Sequence, residues 1–189
     1  MIKTGIFGGS FNPIHNGHIA LARQILQKSD LEEIWFVVSP QNPLKTSDSL
    51  EEDEIRLMLV KAALEDENHF VASDYEFKMP RPSFMYDTLK AMRAEYPERL
   101  FTLLIGGDNW VRFQHWYRWE DILRDFRILI YPRKGAVIDK NSLPGNVKIV
   151  DTQLYDISST EIREMIDKGE DISHLVPEAV ANYYKYEED

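Results

Sequence analysis

Short β-rich apolar runs alternate along this chain with segments of helical period, and that alternation restricts the fold more than any other feature. The runs are Ile2 to Phe7, Ile34 to Val38, Phe70 to Ala72, Phe101 to Ile105, Ile128 to Tyr131 and Val147 to Val150. Between them, Ile19, Ala22, Ile25 and Leu26 share one helical face, and Ile55, Met58, Leu59 and Ala62 share another at i, i+3, i+4, i+7 spacing. Ser49 with Glu52 three residues later reads as a capping box for the second helix. A third helix is predicted from about Ser83 until Tyr96-Pro97 stops it, and a weaker fourth from Trp110 to Leu123. Parallel neighbours need crossover connections, so the order predicts an α/β fold: a single doubly wound, mostly parallel sheet with helices on both faces. At 189 residues the chain suits one domain over 1–189. Its last part, about 157–189, reads as a C-terminal helical appendage, with one helix over Ile157 to Lys168 and another opened by Pro177.

In a doubly wound sheet the ligand crevice lies beyond the carboxyl ends of the strands, so the residues after each strand carry the chemistry. Strand one is followed by Gly8-Gly9-Ser10-Phe11-Asn12-Pro13-Ile14-His15-Asn16-Gly17-His18 and then a helix. The two glycines allow a close backbone approach, and a helix start presents unpaired N–H groups and a positive dipole end. Together they outline a phosphate cradle. The string is neither Gly-x-Gly-x-x-Gly nor a P-loop, and strand two ends in Val37-Val38-Ser39 with no acid for a ribose, which disfavours dehydrogenases and P-loop kinases. His15 and His18 fit three readings at this stage: helix capping, a metal pair lacking a third ligand, or stabilisation of a bound anion's charge.

Charge and composition close further classes. Lysine and arginine number 22 against 32 acidic residues, a net −10, which opposes adhesion to nucleic acid or to an anionic membrane. A phosphate site must therefore gather its cations locally, and Lys45, Arg56, Arg133, Lys134 and Arg163 are the candidates. Without cysteine there is no disulfide, thiolate zinc site or cysteine nucleophile. No apolar stretch approaches the ~20 residues of a membrane span and no signal-peptide pattern opens the chain, so a cytoplasmic location is expected.

The string from Gly9 to His18 closely resembles the His-x-Gly-His signature of the nucleotidyltransferase superfamily, and the chain as a whole looks most like bacterial nicotinate-nucleotide adenylyltransferases. The resemblance implies a Rossmann-like nucleotidyltransferase fold, ATP and nicotinate mononucleotide as substrates, deamido-NAD and pyrophosphate as products, and Mg²⁺ arriving with ATP. Far downstream, Ile157-Ser158-Ser159-Thr160-Glu161-Ile162-Arg163 resembles the family's triphosphate-binding string. By spacing alone it is equally an ordinary helix start capped by Ser158. By resemblance, Gly8, Gly9, Ser10, Phe11, His18, Gly106, Asp108, Ser158, Ser159, Thr160 and Arg163 are expected at ATP, and His15, His18, Lys45 and Arg163 at the reacting phosphates. Asn42, Lys45, Phe84, Met85, Trp116, Tyr117 and Arg133 are expected at the acceptor, with Trp116 stacking on the pyridine ring. The chain departs from the family where Phe84 and Met85 replace a Tyr and a Thr, so a hydroxyl that could contact the pyridine carboxylate is missing.

A phosphate monoester, with a second pKa near ~6, is already a dianion at neutral pH and needs no general base. That fits the lack of a conspicuous catalytic carboxylate. Nicotinamide mononucleotide or phosphopantetheine as acceptor, and a non-catalytic ATP sensor, are the alternatives, and homo-oligomerisation is left open.

Overall fold

The computed structural model describes residues 1–41 and 51–187. Six strands, β1 (Ile2–Gly9), β2 (Glu33–Val38), β3 (Phe70–Ser73), β4 (Arg99–Gly106), β5 (Arg127–Tyr131) and β6 (Val147–Ile149), form one sheet in the order β3-β2-β1-β4-β5-β6. Every pairing is parallel. The α/β Rossmann-like expectation holds. The chain runs outward from β1 to β3, then returns to place β4 on the other side of β1. That reversal opens the crevice between the ends of β1 and β4.

Strand alternation sorts the core into two layers. Phe7, Phe36, Val38, Leu104 and Leu129 face one layer, and Ile6, Trp35, Val37, Leu103 and Ile105 the other. The first layer is covered by α1 (Asn16–Lys28) and α2 (Asp53–Ala63) and also by the C-terminal helices α6 (Ser159–Asp167) and α7 (Glu178–Glu187). Ile162 and Val180 are fully buried there, so the predicted appendage is part of the main core. The second layer is covered by α3 (Met85–Glu95) and α5 (Trp119–Asp125), through Leu89, Met92 and Ile122.

Two local expectations are corrected. The stretch from Trp110 to Leu123 is not one helix: it divides into α4 (Gly107–Val111), a 3₁₀ turn at Phe113–His115, and α5 after Arg118, whose φ of 55° is left-handed and breaks the helical path. Glu52 occupies the N-cap of α2 and not its third turn position, and its side chain makes no capping bond. Ser49, the other half of that predicted box, lies outside the described residues.

Candidate active site

A cavity of about 810 Å³ opens at the carboxyl ends of β1, β4 and β5. Its floor is the loop after β1, its far wall the connection Gln153 to Ile157, and its rim the start of α6. His15 and His18 both line it.

The two imidazoles form a reciprocal cap on α1. His15 is the N-cap residue, and its Nδ1 accepts from the backbone N–H groups of Gly17 and His18 at 3.1 and 3.3 Å. His18 Nδ1 accepts in turn from the His15 N–H at 3.1 Å. The rings stack with centroids 3.6 Å apart. Because each Nδ1 is an acceptor, each neutral ring carries its proton on Nε2, leaving that N–H as the group available to a ligand. Burial, with the Arg133 guanidinium as a smaller cause, lowers the His15 pKa to about 4. Burial, then His15, then Arg133 hold His18 well below its ordinary value. The capping alternative is therefore true and does not compete with a ligand role, since the two functions use different nitrogens. The spacing also explains Gly17: a Cβ there would stand 2.9 Å from His15 Cε1 and 3.4 Å from Ile157 Cβ.

Helix α6 reaches the same cavity from the other end of the sequence. The Ser158 hydroxyl caps it by accepting from Glu161 N–H at 3.1 Å, and the Ser159 hydroxyl donates to the Pro13 carbonyl at 2.9 Å. Arg163 Nη1 donates to the Asn12 carbonyl at 2.8 Å and Nη2 lies 3.2 Å from Thr160 Oγ1. The string is a capped helix start and also a wall of the cavity. Across from it, Asp108 and Arg133 approach to 3.6 Å. Gly106 permits this, because a Cβ there would meet Asp108 Oδ1 at 2.6 Å and Arg133 Cγ at 2.7 Å.

A second cavity, about 440 Å³, lies beyond the end of β2 and is lined by Phe84, Met85, Trp116 and Tyr117 together with Ser39 and Glu76. Phe84 and Tyr117 pack with centroids 4.7 Å apart. Glu76 is 3% exposed; burial raises its carboxyl pKa against hydrogen bonds from Thr88, Ser83 and Ser39. The cavities adjoin at Met85, whose Cε would lie 3.1 Å from a Cβ at Gly8.

Residues 6–165 match the cytidylyltransferase-like family model. The chain is 47% identical over 184 residues to a Bacteroides thetaiotaomicron protein named "Probable nicotinate-nucleotide adenylyltransferase", covering 97% of this chain and 91% of that one. A Bacteroides fragilis protein of the same name is 49% identical over 178 residues, covering 94% and 89%. The chain belongs to the nicotinate-nucleotide adenylyltransferase family. The fold agrees with Plasmodium falciparum nicotinic acid mononucleotide adenylyltransferase, solved in complex with NaAD, at a TM-score of 0.82 and 21% identity over 99% of this chain and 96% of that one.

Within this nicotinate-nucleotide adenylyltransferase fold, the first cavity gathers Gly8, Gly9, Ser10, Phe11, His15, His18, Asp108, Ser158, Ser159, Thr160 and Arg163. Gly106 sits behind that wall, allowing Asp108 and Arg133 to close. Phe11 contributes as a buried plug: at φ 46° its ring lies 5.1 Å from His18 and 5.5 Å from Phe36. Phe84, Met85, Trp116 and Tyr117 share the second cavity, whereas Arg133, expected beside them, lines the first. Asn42 and Lys45 lie outside the described residues. Arg56 is no phosphate ligand in waiting: it is 1% exposed and bonded to backbone carbonyls. The wall Gln153 to Asp156 was missed, since a polar connection of no regular period carries no local signal that it lines a cavity. Glu76 was missed because burial is not legible in an isolated Glu.

Proposed function

We propose that the protein transfers the adenylyl group of ATP to nicotinate mononucleotide in NAD biosynthesis, forming deamido-NAD and pyrophosphate. The observation that carries this is the convergence of His15, His18 and Arg163 on one cavity that adjoins a second, aromatic one. An acceptor phosphate oxygen forms a bond to the α-phosphorus of ATP while the bond from that phosphorus to the bridging oxygen breaks, and pyrophosphate leaves with the electron pair. The acceptor dianion is the nucleophile and no protein base is required.

In this scheme the Nε2–H groups of His15 and His18 donate to the α-phosphate, where negative charge builds up. Arg163, Arg133 and the N–H groups at the start of α6 meet the departing phosphates. Neutral imidazoles suit this role, because pre-aligned N–H dipoles need no proton uptake before substrate binds. Mg²⁺ enters as part of the ATP substrate and keeps several of its waters, so it needs few protein ligands. Trp116 and Tyr117 receive the pyridine ring, and Asn42 and Lys45 are assigned to the acceptor phosphate on resemblance. No helix among the described residues is long and apolar enough to cross a membrane.

Pyrophosphate release, measured with ATP and nicotinate or nicotinamide mononucleotide side by side, tests the proposal. Release with the nicotinate form, at a higher kcat/KM than with the amide, is the expected result. ATP binding without release for either acceptor defeats it in favour of a sensor, and a preference for phosphopantetheine would reassign the acceptor.

A further inference from the structure

We infer that Arg56 is a positioning residue that fixes the two substrate cavities relative to each other. It projects from α2 into the space between the ends of β1 and β2 and is among the largest fully buried side chains. Its Nη1 donates to the Ser10 carbonyl at 2.6 Å and to the Ser39 carbonyl at 2.8 Å. Ser10 lines the first cavity and Ser39 the second. One nitrogen thus holds both loops.

The rest of the guanidinium is committed as well. Nε donates to the Glu51 carbonyl at 3.1 Å and Nη2 to Asp53 Oδ1 at 2.6 Å. Asp53 extends the network toward the second cavity, with Oδ1 accepting from the Gln41 N–H and Oδ2 from Arg81 Nη1, both at 2.9 Å. Gln41 and Arg81 line that cavity. A planar fork can address two carbonyls and a carboxylate at fixed angles, which a lysine ammonium on a flexible stem cannot reproduce.

Such a brace matters because the reaction joins two separately bound molecules. In-line attack requires the acceptor oxygen and the α-phosphorus to meet at a set distance and angle, and a misplacement of about 1 Å can cost ~100-fold in rate. The inference rests on the adenylyl-transfer assignment. It concerns how the bound pair is aligned, whereas residues facing a ligand govern how tightly each is held.

The test compares wild type with Arg56→Lys and Asp53→Asn in full-length protein. It measures pyrophosphate release with ATP and nicotinate mononucleotide, dissociation constants of each nucleotide by calorimetry, and folding by circular dichroism and thermal melting. The expected result is a folded Arg56→Lys protein whose kcat falls by ~10-fold or more while each substrate's KM and dissociation constant stay within about threefold. Asp53→Asn should show the same split at smaller size, and it decides the matter if the lysine variant does not fold. An unchanged kcat in the folded variants overturns the inference. So does a rise in the ATP dissociation constant with kcat preserved, which would make Arg56 a binding group. Wild type inactive with the nicotinate acceptor would instead defeat the assignment on which the inference rests.

Discussion

Arg163 Nη1 donates to the carbonyl of Asn12 at 2.8 Å, so a side chain from α6 closes onto the loop after β1 across 151 positions of sequence. Ser159, on the same helix, reaches the neighbouring Pro13 carbonyl. The loop after β1 is thereby held in shape by the helix that supplies the opposite wall of the cavity. Arg163→Lys should keep the charge and lose the fork, raising the KM for ATP by ~10-fold or more with little change in the acceptor KM. Steady-state kinetics with each substrate varied in turn checks this, and equal effects on both substrates would count against it.

His18 caps α1, and substitution can separate that contact from the donor role proposed for it. His18→Gln retains an acceptor for the His15 N–H, as Gln does at the third position of a capping box, but removes the imidazole. Its melting temperature should stay close to wild type while kcat falls by ~100-fold, the scale of losing one electrostatic donor at the transition state. Retained turnover in this variant would assign the histidine to helix capping alone.

Gly17→Ala sets two effects against each other. Alanine favours helix by about 1 kcal/mol over glycine, whereas its methyl would stand 2.9 Å from the stacked His15 ring. The ring must tilt, so net stability should change by less than about 1 kcal/mol. kcat/KM, which depends on where the ring nitrogens lie, should fall by ~10-fold or more. Thermal melts and kinetics on the same preparation show whether activity is lost without stability.

The histidine shifts predict how stability responds to acid. His15 has a pKa of about 4 in the folded protein against about 6.5 for a free histidine, so the unfolded chain binds the extra proton between those values. The stabilising effect is complete above about pH 6.5 and is lost as pH falls toward about 4, amounting to roughly 3 kcal/mol for this one group. His18, also lowered, adds in the same direction. Denaturant midpoints from pH 7 to 4 should decline, and His15→Asn, which keeps a capping acceptor without titrating, should decline less steeply.

Trp116→Ala addresses the second cavity. If the indole receives the acceptor ring, the acceptor KM should rise by ~10-fold while ATP affinity holds, in line with ~1–3 kcal/mol for a base stacked on an aromatic side chain. Matched losses for both substrates would place Trp116 in the core that it shares with Phe113.

The primary sequence alone determined the strands and the longer helices, because periods of two and of about 3.6 are written in neighbouring residues, whereas the break at Arg118 that divides the stretch from Trp110 to Leu123 was not legible there. The capping at Ser158 and the glycine-rich loop after β1 are likewise short-range features. The crevice at the ends of β1 and β4 follows from strand order, which βαβ alternation leaves open between doubly wound arrangements and the packed sheet decides. Only the tertiary structure decided that Arg133 faces the His15 cavity, that Arg56 is buried against backbone carbonyls, and that both histidines stay neutral. Those outcomes depend on which distant groups surround a side chain once the sheet has closed, since desolvation and hydrogen-bond partners are supplied by packing and not by neighbours in the chain.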